Sequence, residues 1–178
     1  MENICFQNLI DANNVEYSDK YSFFEFFKIV RLMNQIFTKF NYFKHLKNLF
    51  NSFWSNKTYV ITAKKDNQIL ALCILVTDNI HKYVQLNDHQ VTTNLGVYDK
   101  HLYHNIFLCY FCVNELHDQN YNNITNDLLN YIENSLQNNG NFAIYLKNSE
   151  DSQQYWENQG YILKNNHLYY KLITKQNN

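Results

Sequence analysis

Apolar positions along the chain fall into two kinds of pattern, and each predicts a different element. Phe23, Phe26, Phe27, Val30, Met33, Phe37 and Phe40 recur at three- and four-residue spacing, which predicts an amphipathic helix over 22–40. Ser22 is placed as its N-cap. Phe43, Leu46, Leu49, Phe50 and Phe53 predict a second helix over 42–54. Ile124, Leu128, Leu129, Ile132 and Leu136 mark a third, closed by Gly140 as a left-handed C-terminal residue. Residues 151–159 form a short fourth helix, ended by Gly160. The other pattern is apolar and β-branched. It predicts strands over 58–64 and 69–77, joined by a turn at Lys65-Asp66-Asn67-Gln68. Residues 105–113 are continuously apolar, as a central strand buried on both faces would be. Further strands are expected over 3–10 and 142–146, with a final hairpin at 161–164 and 168–173. The polar stretch 78–103 reads as a long loop with an extra strand near 83–86.

The predicted order is β-α-α-β-β-β-α-β-α-β-β. Antiparallel pairs come first and last, around one strand-helix-strand crossover over 105–146. That combination defines an α+β fold with a mixed, mostly antiparallel central sheet.

Composition narrows the function classes. With 178 residues, the chain suffices for one core, so a single domain over 1–178 is expected. Its 46% hydrophobic and 17% aromatic content separates it from disordered sequences. Net charge is −1 and Arg31 is the lone arginine, so a nucleic-acid partner is not expected. No run approaches the roughly 18 apolar residues of a membrane span, and no membrane partner is expected. Glu2, Asp11, Glu16 and Asp19 make the first twenty residues unlike a cleaved signal. Cys5, Cys73, Cys109 and Cys112 sit in apolar runs, as small hydrophobes do in a reducing cytoplasm. With three glycines, no proline and 30 asparagines, the turns must be built largely by Asn.

Four constellations are candidates for chemistry. Cys109-Tyr-Phe-Cys112 has C-x-x-C spacing, but residues three apart on a strand point to opposite faces, so no shared metal is expected. His81, His89, His101, His104 and His117 cluster around the central strand, and imidazole can act as a base near neutral pH. Of these, His104 and His117 flank the strand closely. Residues 114–125 join a strand to a helix, where backbone N–H groups and the helix dipole suit an anionic phosphate. Asn122-Asn123 could supply the left-handed turn there in place of glycine. Residues 148–161 form a short helix with adjacent aromatics Tyr155 and Trp156, followed by Gly160 and Tyr161. Helix–sheet packing by those aromatics is the alternative reading.

The last two segments, in this order and spacing, resemble the GCN5-related N-acetyltransferase (GNAT) superfamily. Leu128-Leu129 matches the paired leucines of the family's helix, and Tyr155-Trp156-Glu-Asn-Gln-Gly160-Tyr161 matches its closing run. The motif covers about 105–161; the element order extends the resemblance to the whole chain. It implies an acyl-CoA N-acyltransferase-like fold with helices on both sheet faces. It also implies acetyl-CoA as co-substrate, and as acceptor an amine-bearing small molecule or a protein or peptide amine. A homodimer is compatible with it.

Carried over position by position, the resemblance assigns the coenzyme's phosphates to Asn120, Tyr121, Asn122, Asn123, Ile124 and Thr125. Asn123 and Thr125 stand where the family pattern [RQ]-x-x-G-x-[GA] has small residues. Asn120, beside Gln119, stands at its first position; counting from Val113 instead shifts the register by two residues. Ser149 stands where the family has Asn, and Trp156 where it has the Tyr that protonates the departing thiolate. Tyr155, one residue earlier and about 100° around a helix, faces the core in that pattern and is the alternative acid. Backbone groups near Phe111, Cys112 and Val113 would polarise the thioester carbonyl and pair with the pantetheine arm, at a bulge where the strand splays from its neighbour. Glu115 and His104 are the candidate bases. The acceptor would lie against the first two helices and the final hairpin. A catalytically inactive binding or regulatory module of the same fold is the other reading, motivated by the missing glycines and tyrosine.

Overall fold

The computed structural model describes residues 4–36, 58–77, 103–114, 121–147, 152–165 and 167–176. In chain order these form β1 (Leu9–Ile10), β2 (Glu16–Ser18), α1 (Phe23–Ile36), β3 (Thr58–Lys65), β4 (Gln68–Val76), β5 (His104–Val113), α2 (Tyr121–Asn139), β6 (Phe142–Lys147), α3 (Gln153–Asn158), β7 (Ile162–Asn165) and β8 (Leu168–Ile173). The strands make one sheet, ordered β1-β2-β3-β4-β5-β6-β8-β7. β5 and β6 are parallel across the α2 crossover, whereas β1–β2, β2–β3, β6–β8 and β7–β8 are antiparallel. The expected mixed sheet is therefore present.

Two expected elements, the helix over 42–54 and the strand near 83–86, lie outside the described residues, as does the end of the helix expected over 22–40. The expected first strand over 3–10 is a strand only at Leu9–Ile10, and Glu16–Ser18 adds a strand the pattern does not predict. Such short edge pieces carry too few residues for a period-2 signal. Asp11 makes the connection between them: its Oδ1 accepts from the N–H groups of Asn13 and Val15, both at 2.8 Å, and Asn14 takes φ 60°.

The chain divides into two compact units, Met1–Leu75 with Tyr110–Ser135, and Val76–Cys109 with Leu136–Asn178. In the first, α1 begins with a reciprocal capping box: the Ser22 N–H donates to Glu25 Oε2, and the Glu25 N–H donates back to Ser22 Oγ. The expected cap at Ser22 is thus in place. Lys64 reaches Glu25 at 3.0 Å and Glu16 at 3.8 Å, tying the helix start to β3. Burial opposes the charge on Glu25, but the Ser22 amide and Lys64 outweigh it and hold the carboxyl below its usual range. Phe26, Ile29, Leu32 and Met33 form the buried face of α1, while Phe27 is exposed. Six of the eight residues from Phe23 to Val30 are apolar, more than one face needs, so spacing alone places the stripe about one position out. The turn from β3 to β4 has Asp66 at φ 50° and Asn67 at φ 62°, the two left-handed positions of a type I′ hairpin. β4 is buried from Ile69 through Val76. On α2, Ile124, Leu128, Leu129 and Ile132 are buried as the spacing predicts. Tyr131 stacks on Tyr17 at 5.5 Å and donates its O–H to the Gln7 carbonyl at 2.8 Å.

The second unit holds the first part of β5 with β6, β8 and β7. Phe107, Ala143, Tyr145 and Leu168 form a buried cluster on one sheet face. Gly140 follows α2 at φ 155°, well away from the left-handed helical value expected of it. α3, by contrast, ends as expected. Gly160 is left-handed at φ 79°, its N–H donates to Glu157 O, and the Tyr161 N–H donates to Trp156 O. This is a Schellman motif, and its usual apolar contact is made by Trp156 against Tyr161, ring centroids 5.2 Å apart.

Candidate active site

Among the described residues, β5 pairs with β6 over the first half of its length. Their pairing runs from His104↔Phe142 to Leu108↔Leu146. Among the described residues it goes no further, although Lys147 still pairs with Leu168 of β8 and β5 continues to Val113. At the strand's start the His104 N–H donates to Asn141 O at 2.9 Å, toward β6. Just past its end the Asn114 N–H donates to Leu70 O at 2.7 Å, toward β4. Amides an even number of residues apart on a regular strand point the same way. These two point oppositely, so the alternation slips once between them, as at a bulge. Phe111 is half-buried, and Cys112 and Val113 are buried.

α2 starts at Tyr121, so the positions assigned to the phosphate loop from Tyr121 to Thr125 form its first turn. Asn122 and Asn123 are right-handed and helical, not the left-handed turn expected. Among the described non-glycine residues only Asn14, Asp66, Asn67 and His167 have positive φ. Asparagine tolerates both conformations, and the start of a helix favours it as strongly as a turn does. The first helical amides have no partner within the helix and sit at the positive end of its dipole, an arrangement that attracts an anion. Asn123 is exposed, whereas Ile124 and Thr125 are buried at 5% and 8%. The Thr125 side chain is thereby turned into the core, and its methyl and hydroxyl do not crowd the solvent side of the turn.

Burial pushes the thiols of both Cys109 and Cys112 up to about 12, which leaves them protonated and unreactive across the neutral range. His104, in the second unit, is exposed, with its ring tilted against Phe142 at 5.7 Å. In the same unit Trp156 is buried at 6% while Tyr155 is half-buried, their rings edge to face at 5.1 Å. The core-facing position expected of Tyr155 is therefore taken by Trp156, because the helix stop needs an apolar side chain at that place to meet Tyr161. Lys171 holds the same stop from β8. Its Nζ donates to Gln159 O at 2.8 Å and lies 5.5 Å from the Tyr161 ring centroid. Neither Lys171 nor the buried Tyr145 stands out in the sequence: one is a lysine in the final hairpin, the other an aromatic in an apolar run. Glu115, Asn120, Ser149 and the histidines His81, His89, His101 and His117 lie outside the described residues.

No protein-family model matches the chain, and no curated protein matches it. Solved structures do. It superposes on an aminoglycoside 6'-N-acetyltransferase from Enterococcus faecium with a TM-score of 0.62 and 12% identity, covering 92% of this chain and 99% of that one. A GNAT-family acetyltransferase from Staphylococcus aureus gives 0.59 at 14% identity, covering 90% and 99%. The PaiA N-acetyltransferase of Thermoplasma acidophilum, solved with coenzyme A, gives 0.54 at 10% identity, covering 90% and 98%. The chain thus has the acyl-CoA N-acyltransferase fold of the GNAT enzymes.

Proposed function

We propose that this chain is an acetyl-CoA-dependent N-acetyltransferase that moves the acetyl group directly to an amine. The observation that carries the reading is that, among the described residues, the β5–β6 pairing ends at Leu108↔Leu146 while β5 itself runs on to Val113, before the crossover to α2. In this reading an extended, amide-bearing ligand such as pantetheine lies along β5 past Leu108. The start of α2 suits the diphosphate, with Asn120 and the Tyr121–Thr125 turn around it. Thr125 is buried and Asn123 exposed, so only one side chain stands where the family pattern prefers none.

The chemistry asks little of side chains beyond juxtaposition. Glu115 or His104 takes a proton from the ammonium of the acceptor. The freed nitrogen attacks the thioester carbonyl, and a backbone N–H near Phe111–Val113 stabilises the negative charge on its oxygen. A C–N bond forms and the C–S bond breaks. Tyr155 O–H donates the proton that the departing thiolate receives, while Ser149 and Trp156 contribute to binding. The acceptor is an amine on a small molecule or a peptide. A second reading, an inactive binding module, is favoured by one observation: buried Trp156 occupies the position of the proton-donating tyrosine, and indole N–H is no useful acid. Thermal unfolding with millimolar acetyl-CoA, followed by an assay of thiol release, separates the outcomes. A shift with turnover supports the enzyme; a shift without turnover across amine classes supports the module; no shift removes both.

A further inference from the structure

On one face of the second unit's sheet, Tyr169, Lys171 and Ile173 of β8 stand opposite Leu146, Ile144 and Phe142 of β6. Every side chain in this patch except Lys171 is aromatic or aliphatic and buried. A methionine would fill the same place without taking an ammonium out of water, which is unfavourable unless the charge is hydrogen-bonded. Lys171 meets that need at the end of α3, where Nζ donates to Gln159 O at 2.8 Å and the cation faces the negative end of the helix. Its Cε lies 3.7 Å from the place a Cβ on Gly160 would occupy, so the side chain passes directly against the helix stop. Gln159 in turn donates its N–H to Tyr155 O at 3.1 Å. A path therefore runs from β8, fixed in the sheet by β6, through the Lys171 side chain and Gln159 to the residue that carries the candidate acid. The six residues of α3 are too few for a helix to hold itself in place, so it is set by what it is tied to.

We propose that Lys171 is a positioning residue for Tyr155: by tying the α3 stop to β8 it sets where the Tyr155 hydroxyl lies when the thioester breaks. This role rests on the acetyl-transfer reading. In that reaction Tyr155 O–H gives its proton to the sulfur of coenzyme A as the C–S bond breaks, and the phenolate left behind takes a proton back from water. A proton donor acts only within hydrogen-bond reach of its target, and a displacement of about 1 Å is enough to slow such a step. Lys171 itself meets neither the sulfur nor the acyl group and acts through α3.

The test is a double-mutant cycle on the whole chain between Tyr155→Phe and Lys171→Met, which keeps the stem and removes the charge. Lys171→Met keeps the melting shift with millimolar acetyl-CoA and the KM for it, and lowers kcat for thiol release about tenfold, a part of what a general acid supplies. Lys171→Arg restores most of that loss. In the Tyr155→Phe background Lys171→Met lowers kcat no further, because two residues acting through one proton do not add. Equal falls of kcat in both backgrounds, or a Tyr155→Phe variant as fast as wild type, overturn the proposal. The indole N–H resonance of Trp156, whose ring meets that of Tyr155 on α3, gives a readout without turnover once assigned against Trp54→Phe. It moves in Lys171→Met and returns in Lys171→Arg; a resonance that stays in place in Lys171→Met overturns the hold on α3. If Lys171→Met does not fold, Lys171→Gln takes its place in the cycle. A wild type without a melting shift or without turnover defeats the transferase reading and the role of Tyr155 with it, whereas a fixed indole resonance in an active enzyme defeats Lys171 alone.

Discussion

Gly160 fixes where α3 stops, and its φ of 79° is a conformation in which a Cβ costs about 1–2 kcal/mol. Space is not the obstacle: a Cβ built there would meet only Lys171, its Cε at 3.7 Å. Gly160→Ala is therefore expected to lower stability by roughly that strain of 1–2 kcal/mol in chemical denaturation, and Gly160→Asn by less, since Asn adopts the left-handed region more readily. At the start of α1, Glu25 is held below its usual carboxyl range by Ser22 and Lys64 against the effect of burial. A carboxyl depressed on folding adds stability above its unfolded pKa and loses it as pH falls through the folded value. Glu25→Gln should flatten that acid limb of the stability profile while shifting the melting temperature near neutral pH; a profile parallel to wild type would contradict this. If Tyr155 is the proton donor, Tyr155→Phe slows thiol release with little change in KM, whereas unchanged turnover removes it from the reaction.

The elements legible in the sequence alone are those whose pattern has one solution. α2 shows it: Ile124, Leu128, Leu129, Ile132 and Leu136 can share only one helical face, and all five are buried. Truncating Leu128 to Ala, at a fully buried site, should cost about 2–5 kcal/mol. β4 and β5 announce themselves as continuous apolar runs, and Asp66-Asn67 as a hairpin turn. α1 is harder, because Phe24 and Phe27 are apolar within the helix yet point outward at 78% and 55% exposure. Among the site's parts, the pair Trp156 and Gly160 is legible as a motif, but its physical meaning is not. Trp156 is the apolar half of a helix stop, so matching that run does not by itself report on catalysis. The Asn122-Asn123 pair misleads because asparagine suits both a left-handed turn and a helix start. The slip in β5 leaves no mark at all, since it is a property of backbone hydrogen bonds and the side chains around it are an unbroken apolar run.

Across the whole chain, the fold is shared with the solved structures at very low sequence identity. Neighbours at 12–14% identity still cover 90% or more of it. A sheet in which β5 runs on past its pairing with β6 and leads to the N-terminus of a 19-residue helix is what the proposed reaction requires of the backbone. The backbone can hold that geometry with Asn123 and Thr125 in the turn and Trp156 in the short helix. If the first turn of α2 carries the coenzyme's phosphates, Asn123→Val, a branched side chain at its exposed position, should abolish the response to acetyl-CoA without unfolding the chain. The most direct measurement is the thermal unfolding of the unmodified protein with and without millimolar acetyl-CoA. Binding to the folded state alone at a hundredfold excess over Kd stabilises by about 2.7 kcal/mol, so a rise of several degrees is expected, and desulfo-coenzyme A should produce a comparable one. An unchanged melting temperature with both ligands would contradict the assignment of this fold to acyl-coenzyme chemistry.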